Sequence, residues 1–221
     1  MAARHWILVV LVLLAGTRPA AGLADDWEDI ATRDGIVASR RFVEGRELPQ
    51  LRSIAEVAGT PYEILAVLLD VPAYRKWVPD CAEATTLRRL GAWRSIIHTR
   101  TDLPWPVQDR EAVIEQEVTF VRAAELVKVY FRAIDAPDVA RAPDTVRTSD
   151  ADGSYTIQAL GDGRSRVTYM VDADPGGTLP DWLIKMQSTS NPLGTLAGLR
   201  DRLEATRGQY REQIASYPAG N

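Results

Sequence analysis

Residues 178–216 read TLPDWLIKMQSTSNPLGTLAGLRDRLEATRGQYREQIAS. Apolar side chains recur along them at Leu179, Leu183, Met186, Leu193, Leu196, Leu199, Leu203, Tyr210 and Ile214, which is helical spacing. Thr178 with Asp181 three residues on is a start signal. Pro192 has no N–H to give and must kink the helix or restart it. From Pro192 to Ser216 a helix would extend about 37 Å at 1.5 Å per residue, enough to cross a domain of this size.

Upstream the period drops to two. Residues 109–121 alternate most plainly: Ala112, Ile114, Gln116, Val118 and Phe120 share one face, and Glu111, Val113, Glu115, Glu117 and Thr119 the other. The first face is expected inside, with Gln116 its odd polar member. Residues 126–133 alternate as well, setting Val127, Val129 and Phe131 against Lys128, Tyr130 and Arg132. Further strands are expected at 36–43, 51–57, 82–90, 93–101, 155–160 and 164–172, with Gly91 and Gly161-Asp162-Gly163 as turns. A short helix is expected at 25–31, where Trp27 and Ile30 lie three apart. A second begins at Thr60, where Thr60-Pro61-Tyr62-Glu63 spells a capping box with proline in the first turn, and it runs to about Leu69. Pro72 and Pro79 bracket one more turn around Tyr74 and Trp77. Strands in sequence followed by a long helix imply an α+β fold with an antiparallel sheet.

The composition is that of an ordinary globular chain: 46% hydrophobic, 25% charged and a net charge of -4. It excludes a disordered tail and a basic nucleic-acid binder. The single cysteine, Cys81, excludes an internal disulfide and is expected buried. At the start, Arg4 and His5 precede the apolar run Trp6 to Leu14, and small residues follow at Ala20, Ala21, Gly22 and Ala24. This reads as a secretory signal peptide over 1–24, cleaved after Ala24, with Gly22 the runner-up; the run is too short to span a bilayer. Residues 25–221 then form one domain, exported to the periplasm or secreted. It is acidic, so a membrane contact would be brief or driven by apolar groups.

The search for catalytic groups is mostly negative. There is no nucleophile elbow and no His-Glu-x-x-His. Once the leader is gone His98 is the sole histidine, and by alternation it shares a solvated face with Arg94 and Arg100. Glu111, Glu115 and Glu117 are expected in solvent on the polar face of their strand. No metal or cofactor is expected.

Three segments carry a resemblance. Leu103–Arg110, LPWPVQDR, resembles the loop-and-strand signature of START domains, the steroidogenic-acute-regulatory-protein-related lipid-transfer family. Pro72–Trp77, PAYRKW, resembles that family's short helix ending in Trp, and Asp174–Leu183, DPGGTLPDWL, its approach to the last helix. Val146-Arg147 and Gly153-Ser-Tyr155 fit its strand pair less closely. The likeness covers about residues 27–207. It implies a helix-grip fold, a curved antiparallel sheet wrapped around the long C-terminal helix, holding one lipid such as a sterol or phospholipid in a cavity between the two.

The walls of such a cavity would be the inward faces: Ile97, Ile114, Gln116 and Val118, then Val129, Phe131, Tyr155 and Tyr169, closed by Trp77, Met186 and Leu196. Trp105 and Trp182 belong either at its mouth or in the core. Gln116 either meets a polar headgroup or satisfies a neighbouring backbone group. With Ile97 inward opposite a solvated His98, the inward acid–base pair of some family members is missing, which puts a charged headgroup in doubt. The first reading is a monomeric lipid carrier, binding a lipid or other hydrophobic small molecule. The alternatives are a helix-grip enzyme, such as a cyclase or hydrolase, and a module with a filled interior whose partner is a protein.

Overall fold

In the computed structural model, residues 26–218 are described; the leader read at 1–24 lies outside them. Ten strands form one curved sheet, in the order β1-β2-β3-β10-β9-β7-β6-β5-β4, with a short β8 set parallel to β6 and every other pairing antiparallel. The C-terminal helix lies in its concave side, giving the expected helix-grip architecture.

The chain enters as a hairpin. β1 (Glu28–Arg33) pairs with β2 (Ile36–Arg41) through Asp34-Gly35, whose φ values of 50° and 76° are what a two-residue hairpin turn needs. The expected helix at 25–31 is therefore overturned in its described part: the Asp-Gly turn commits these residues to a strand. Trp27 lies between the guanidinium groups of Arg41 and Arg52, at 4.8 and 4.5 Å. β3 (Gln50–Ala58) leads into α1 (Pro61–Leu69). The capping box is formed: the Glu63 N–H donates to Thr60 Oγ1, and the Thr60 N–H to Glu63 Oε2. A 3-10 turn over Val71–Lys76 follows.

β4 (Cys81–Arg89) and β5 (Arg94–Thr101) form the second hairpin. Cys81, on this edge strand, is half-buried rather than enclosed, and burial raises its thiol pKa. β6 (Asp109–Val121) and β7 (Leu126–Ala133) fall where the alternation puts them. β8 (Thr145–Arg147), β9 (Asp150–Gly161) and β10 (Arg164–Asp174) complete the sheet, the last two meeting at Asp162-Gly163, again both at positive φ.

α2 covers Asp181–Ala205 and passes through Pro192 without a break. It starts after Pro180, and Thr178 does not cap it. It also stops short of Ser216: the Thr206 hydroxyl turns back to donate to the Arg202 carbonyl, Gly208 takes φ 78°, and a short α3 (Arg211–Ala215) follows. The tail after α2 is anchored by side chains. Tyr210 Oη donates to Asp70 Oδ2 at 2.6 Å, and Tyr217 packs edge-on against Trp93 and Tyr62. Leu193, Leu196, Leu199 and Leu203, from the C-terminal half of α2, join α1 and the concave face in the main core.

The convex face of β6 departs from expectation. Glu111 and Glu115, read as solvated, are buried, and Val113 between them is 0% exposed. The segment after β7 folds back over this face, where Ala136, Ile134 and Val139 pack on Ile96 and Val113. Glu117, beyond that cover, is exposed as expected.

Candidate functional site

Between the sheet and the N-terminal half of α2 the packing opens. A cavity of about 320 Å³ is walled by Leu51, Ala112, Ile114, Phe131, Tyr169 and Val171 from the sheet, by Leu179 from the loop before α2, and by Leu183 and Ile184 from the first turn of α2. Most of this wall is apolar, and Leu103 closes one side from the β5–β6 loop. Leu48, Pro175, Leu179 and Ile184 form a wall shared with an adjoining cleft of about 530 Å³. At that cleft Arg46 binds Asp150 at 2.7 Å and Asp172 at 2.6 Å, tying the β2–β3 loop to the ends of β9 and β10.

The residues read from sequence divide into three groups. Ile114, Phe131 and Tyr169 face the cavity. Tyr155 stacks on Tyr169 with ring centroids 4.8 Å apart, and Phe131 lies 6.0 Å from Tyr155. Burial pushes both tyrosine hydroxyls well above their ordinary pKa, so they remain protonated donors. Trp77, Val118, Val129 and Leu196 belong to the packed core at the other end of α2, while Ile97 joins Val71 and Ala84 in a smaller cluster. Gln116 is buried with them, its Nε2 3.4 Å from the Leu68 carbonyl and its Oε1 without a hydrogen-bond partner among the described residues. The third group stands outside: Trp105 is 92% exposed, Trp182 53% and Met186 42%. Neither tryptophan is a core residue.

The reading from sequence missed Arg110. It shares the inward parity of Ala112 and Ile114 and lines the cavity at its wide end. Carrying the alternation of β6 back from Ala112 by two residues identifies it. Its Nε donates to the Pro175 carbonyl at 3.0 Å, Nη1 to Gln108 at 2.6 Å and Nη2 to Gly176 at 2.8 Å, so it holds the Asp174–Thr178 loop over the mouth.

Glu111 also borders the cavity, but its carboxylate belongs to the convex side. There His98 Nε2 lies 2.8 Å from Oε2, Arg147 reaches Oε1 at 3.0 Å and the Ala142 N–H donates at 3.1 Å. Burial raises the carboxyl pKa, yet these partners outweigh it and hold the group below its ordinary value. His98 is thus drawn into a buried clasp rather than left in solvent. Arg147 also donates to the carbonyls of Val139 and Ala140, fixing the loop between β7 and β8. The arrangement is a structural fastening on the face away from the cavity.

The START domain family matches residues 20–205. The chain belongs to that family. An uncharacterized protein of Pseudomonas aeruginosa is 32% identical over 202 residues, spanning 90% of this chain and 98% of that one. The crystal structure of a STAR-related lipid transfer protein from Xanthomonas axonopodis has a TM-score of 0.74 and 29% identity, covering 81% of this chain and 99% of that one. START domain-containing protein 10 of Homo sapiens is 25% identical over 164 residues, which are 73% of this START chain and 56% of the human protein.

Proposed function

We propose that this START domain carries one lipid or similar hydrophobic molecule, with its apolar part in the cavity under the N-terminal half of α2. The observation that supports this most directly is that cavity of about 320 Å³, within the roughly 300–1,000 Å³ of small-molecule sites and lined chiefly by apolar side chains. Each 100 Å² of ligand surface it removes from water contributes about 2.5 kcal/mol. The protein acts by sheltering its ligand, with no chemistry performed on it. The His98–Glu111 pair, the best acid–base candidate of the chain, faces away from the chamber. It works as a monomer, after export and loss of residues 1–24, and meets membranes briefly through apolar side chains.

The test is to purify the protein from a bacterial host under native conditions and analyse it by native mass spectrometry. One bound lipid per chain is expected, removable by organic extraction and restored from vesicles. Protein that is always empty, and takes up nothing from vesicles of the host's lipids, overturns the reading.

A further inference from the structure

We propose that Arg110 is the recognition group for an anionic head on the ligand, a carboxylate or a phosphate, at the wide end of the cavity. This deepens the carrier reading and rests on it.

Burying this residue is costly. A guanidinium stays charged at any ordinary pH, and moving it out of water is unfavourable unless an opposite charge compensates. Arg110 is only 8% exposed, and among the described residues no carboxylate pairs with it. Its companions are three backbone carbonyls. Burial lowers its pKa with no neighbouring charge to offset the effect. The other deeply placed arginine, Arg147, has Glu111 at 3.0 Å, which is the ordinary solution. Arg110 has no such partner among the described residues.

The second step is capacity. A guanidinium carries five N–H donors, and the three carbonyls take one each from Nε, Nη1 and Nη2. One N–H on each terminal nitrogen is left, which is the fork that a carboxylate or phosphate accepts in bidentate fashion. The third step is position. Arg110 lines the cavity from the inward face of β6, at the end roofed by the Asp174–Thr178 loop. The other charged residue of the cavity lining, Glu111, spends its carboxylate on His98, Arg147 and the Ala142 N–H. A ligand with its tail among Ile114, Phe131 and Leu183 and its head at the mouth would meet Arg110 as its one unmatched charge.

The test uses the delipidated full chain and pairs of probes alike in their tail. Oleic acid is compared with oleyl alcohol, and lysophosphatidic acid with monoacylglycerol, by native mass spectrometry and displacement of a fluorescent fatty probe. The wild type should bind at least one anionic member tenfold or more tightly than its neutral twin, and which pair shows this tells carboxylate from phosphate. Arg110→Gln should bring the ratio close to one, and Arg110→Lys should keep part of it. Equal binding of charged and neutral twins by the wild type, or an unchanged ratio in R110Q, overturns the assignment while leaving the carrier reading intact. Failure of all four probes to bind the wild type overturns the assignment, and the carrier reading falls with it only if the protein also takes up nothing from vesicles of the host's lipids. Circular dichroism checks the fold of each variant. If R110Q does not fold, the wild-type ratios decide together with pH: oleic acid should lose its advantage when acidified below its pKa, and an advantage that survives protonation counts against Arg110.

Discussion

Glu111 shows how one side chain can hold two parts of a chain together. Its carboxylate is wholly enclosed and receives His98, Arg147 and the Ala142 N–H, so the sheet and the loop between β7 and β8 meet on it. Taking one partner from a buried ionic group leaves the other uncompensated and costs about 3–5 kcal/mol. Glu111→Gln is therefore expected to lower unfolding stability by about 3 kcal/mol at pH 7 in urea titrations. The pH dependence follows from its depressed pKa. The folded carboxyl binds its proton less readily than the unfolded one, whose pKa is about 4.3, so the unfolded chain takes up more protons as the solution is acidified. The contribution of Glu111 is present above about pH 4.3 and is lost as pH falls through the lower folded value. The gap between wild type and variant should narrow as the pH is taken below about 4.3; a gap that stays constant on acidification contradicts this. From the sequence, this carboxylate looks solvated because strand alternation describes only the two faces of a strand. It cannot report that a segment some 25 residues later covers one of them. Arg110, by contrast, was legible in the alternation itself, since it has the parity of Ala112.

Among the elements, α2 is two structures joined at Pro192. Its C-terminal half buries Leu193, Leu196, Leu199 and Leu203, while its N-terminal half roofs the cavity and leaves Trp182 and Met186 in solvent. The sequence period made the helix visible but not this division, because a leucine facing a void and one facing a neighbour leave the same periodic trace. Nor did it show where the helix ends, which depends on Tyr210 reaching Asp70 and Tyr217 packing on Trp93. The packed half depends on close approach. A Cβ on Gly198 would stand 2.0 Å from the Trp77 carbonyl oxygen, a backbone atom that cannot swing aside. In a free helix, glycine to alanine gains about 1 kcal/mol. Here overpacking, at about 1–3 kcal/mol, opposes it, and the severity of the clash favours the upper end. Gly198→Ala should lower the melting temperature measurably, whereas Gly91→Ala, with open space around its Cβ, should melt close to wild type. A stabilised G198A protein would mean that the helix and the Val71–Lys76 turn are not held this tightly.

Across the whole molecule, the exposed aromatic surface borders the same chamber. Trp105, at 92% exposure, lies on the loop from which Leu103 closes the cavity, and Trp182, at 53%, lies on the turn of α2 whose Leu183 and Ile184 line it. Tryptophan is the side chain best suited to the boundary between water and acyl chains. A net charge of -4 gives no electrostatic pull towards an anionic bilayer, so the membrane contact proposed above would be made by exposed apolar side chains, and Trp105 and Trp182 are two that stand beside the cavity. Transfer of a loaded ligand between vesicles should then depend on them at the step of membrane encounter. The double variant Trp105→Ala, Trp182→Ala should slow transfer about tenfold, equivalent to about 1.4 kcal/mol in the barrier. Neither ring lines the cavity, so the equilibrium amount of ligand carried per chain should stay the same. Raising salt, or adding anionic lipid to the acceptor vesicles, should not accelerate the wild type, because apolar contact is insensitive to screening. Transfer that follows vesicle charge, or that ignores both tryptophans, would place the membrane contact elsewhere on the surface.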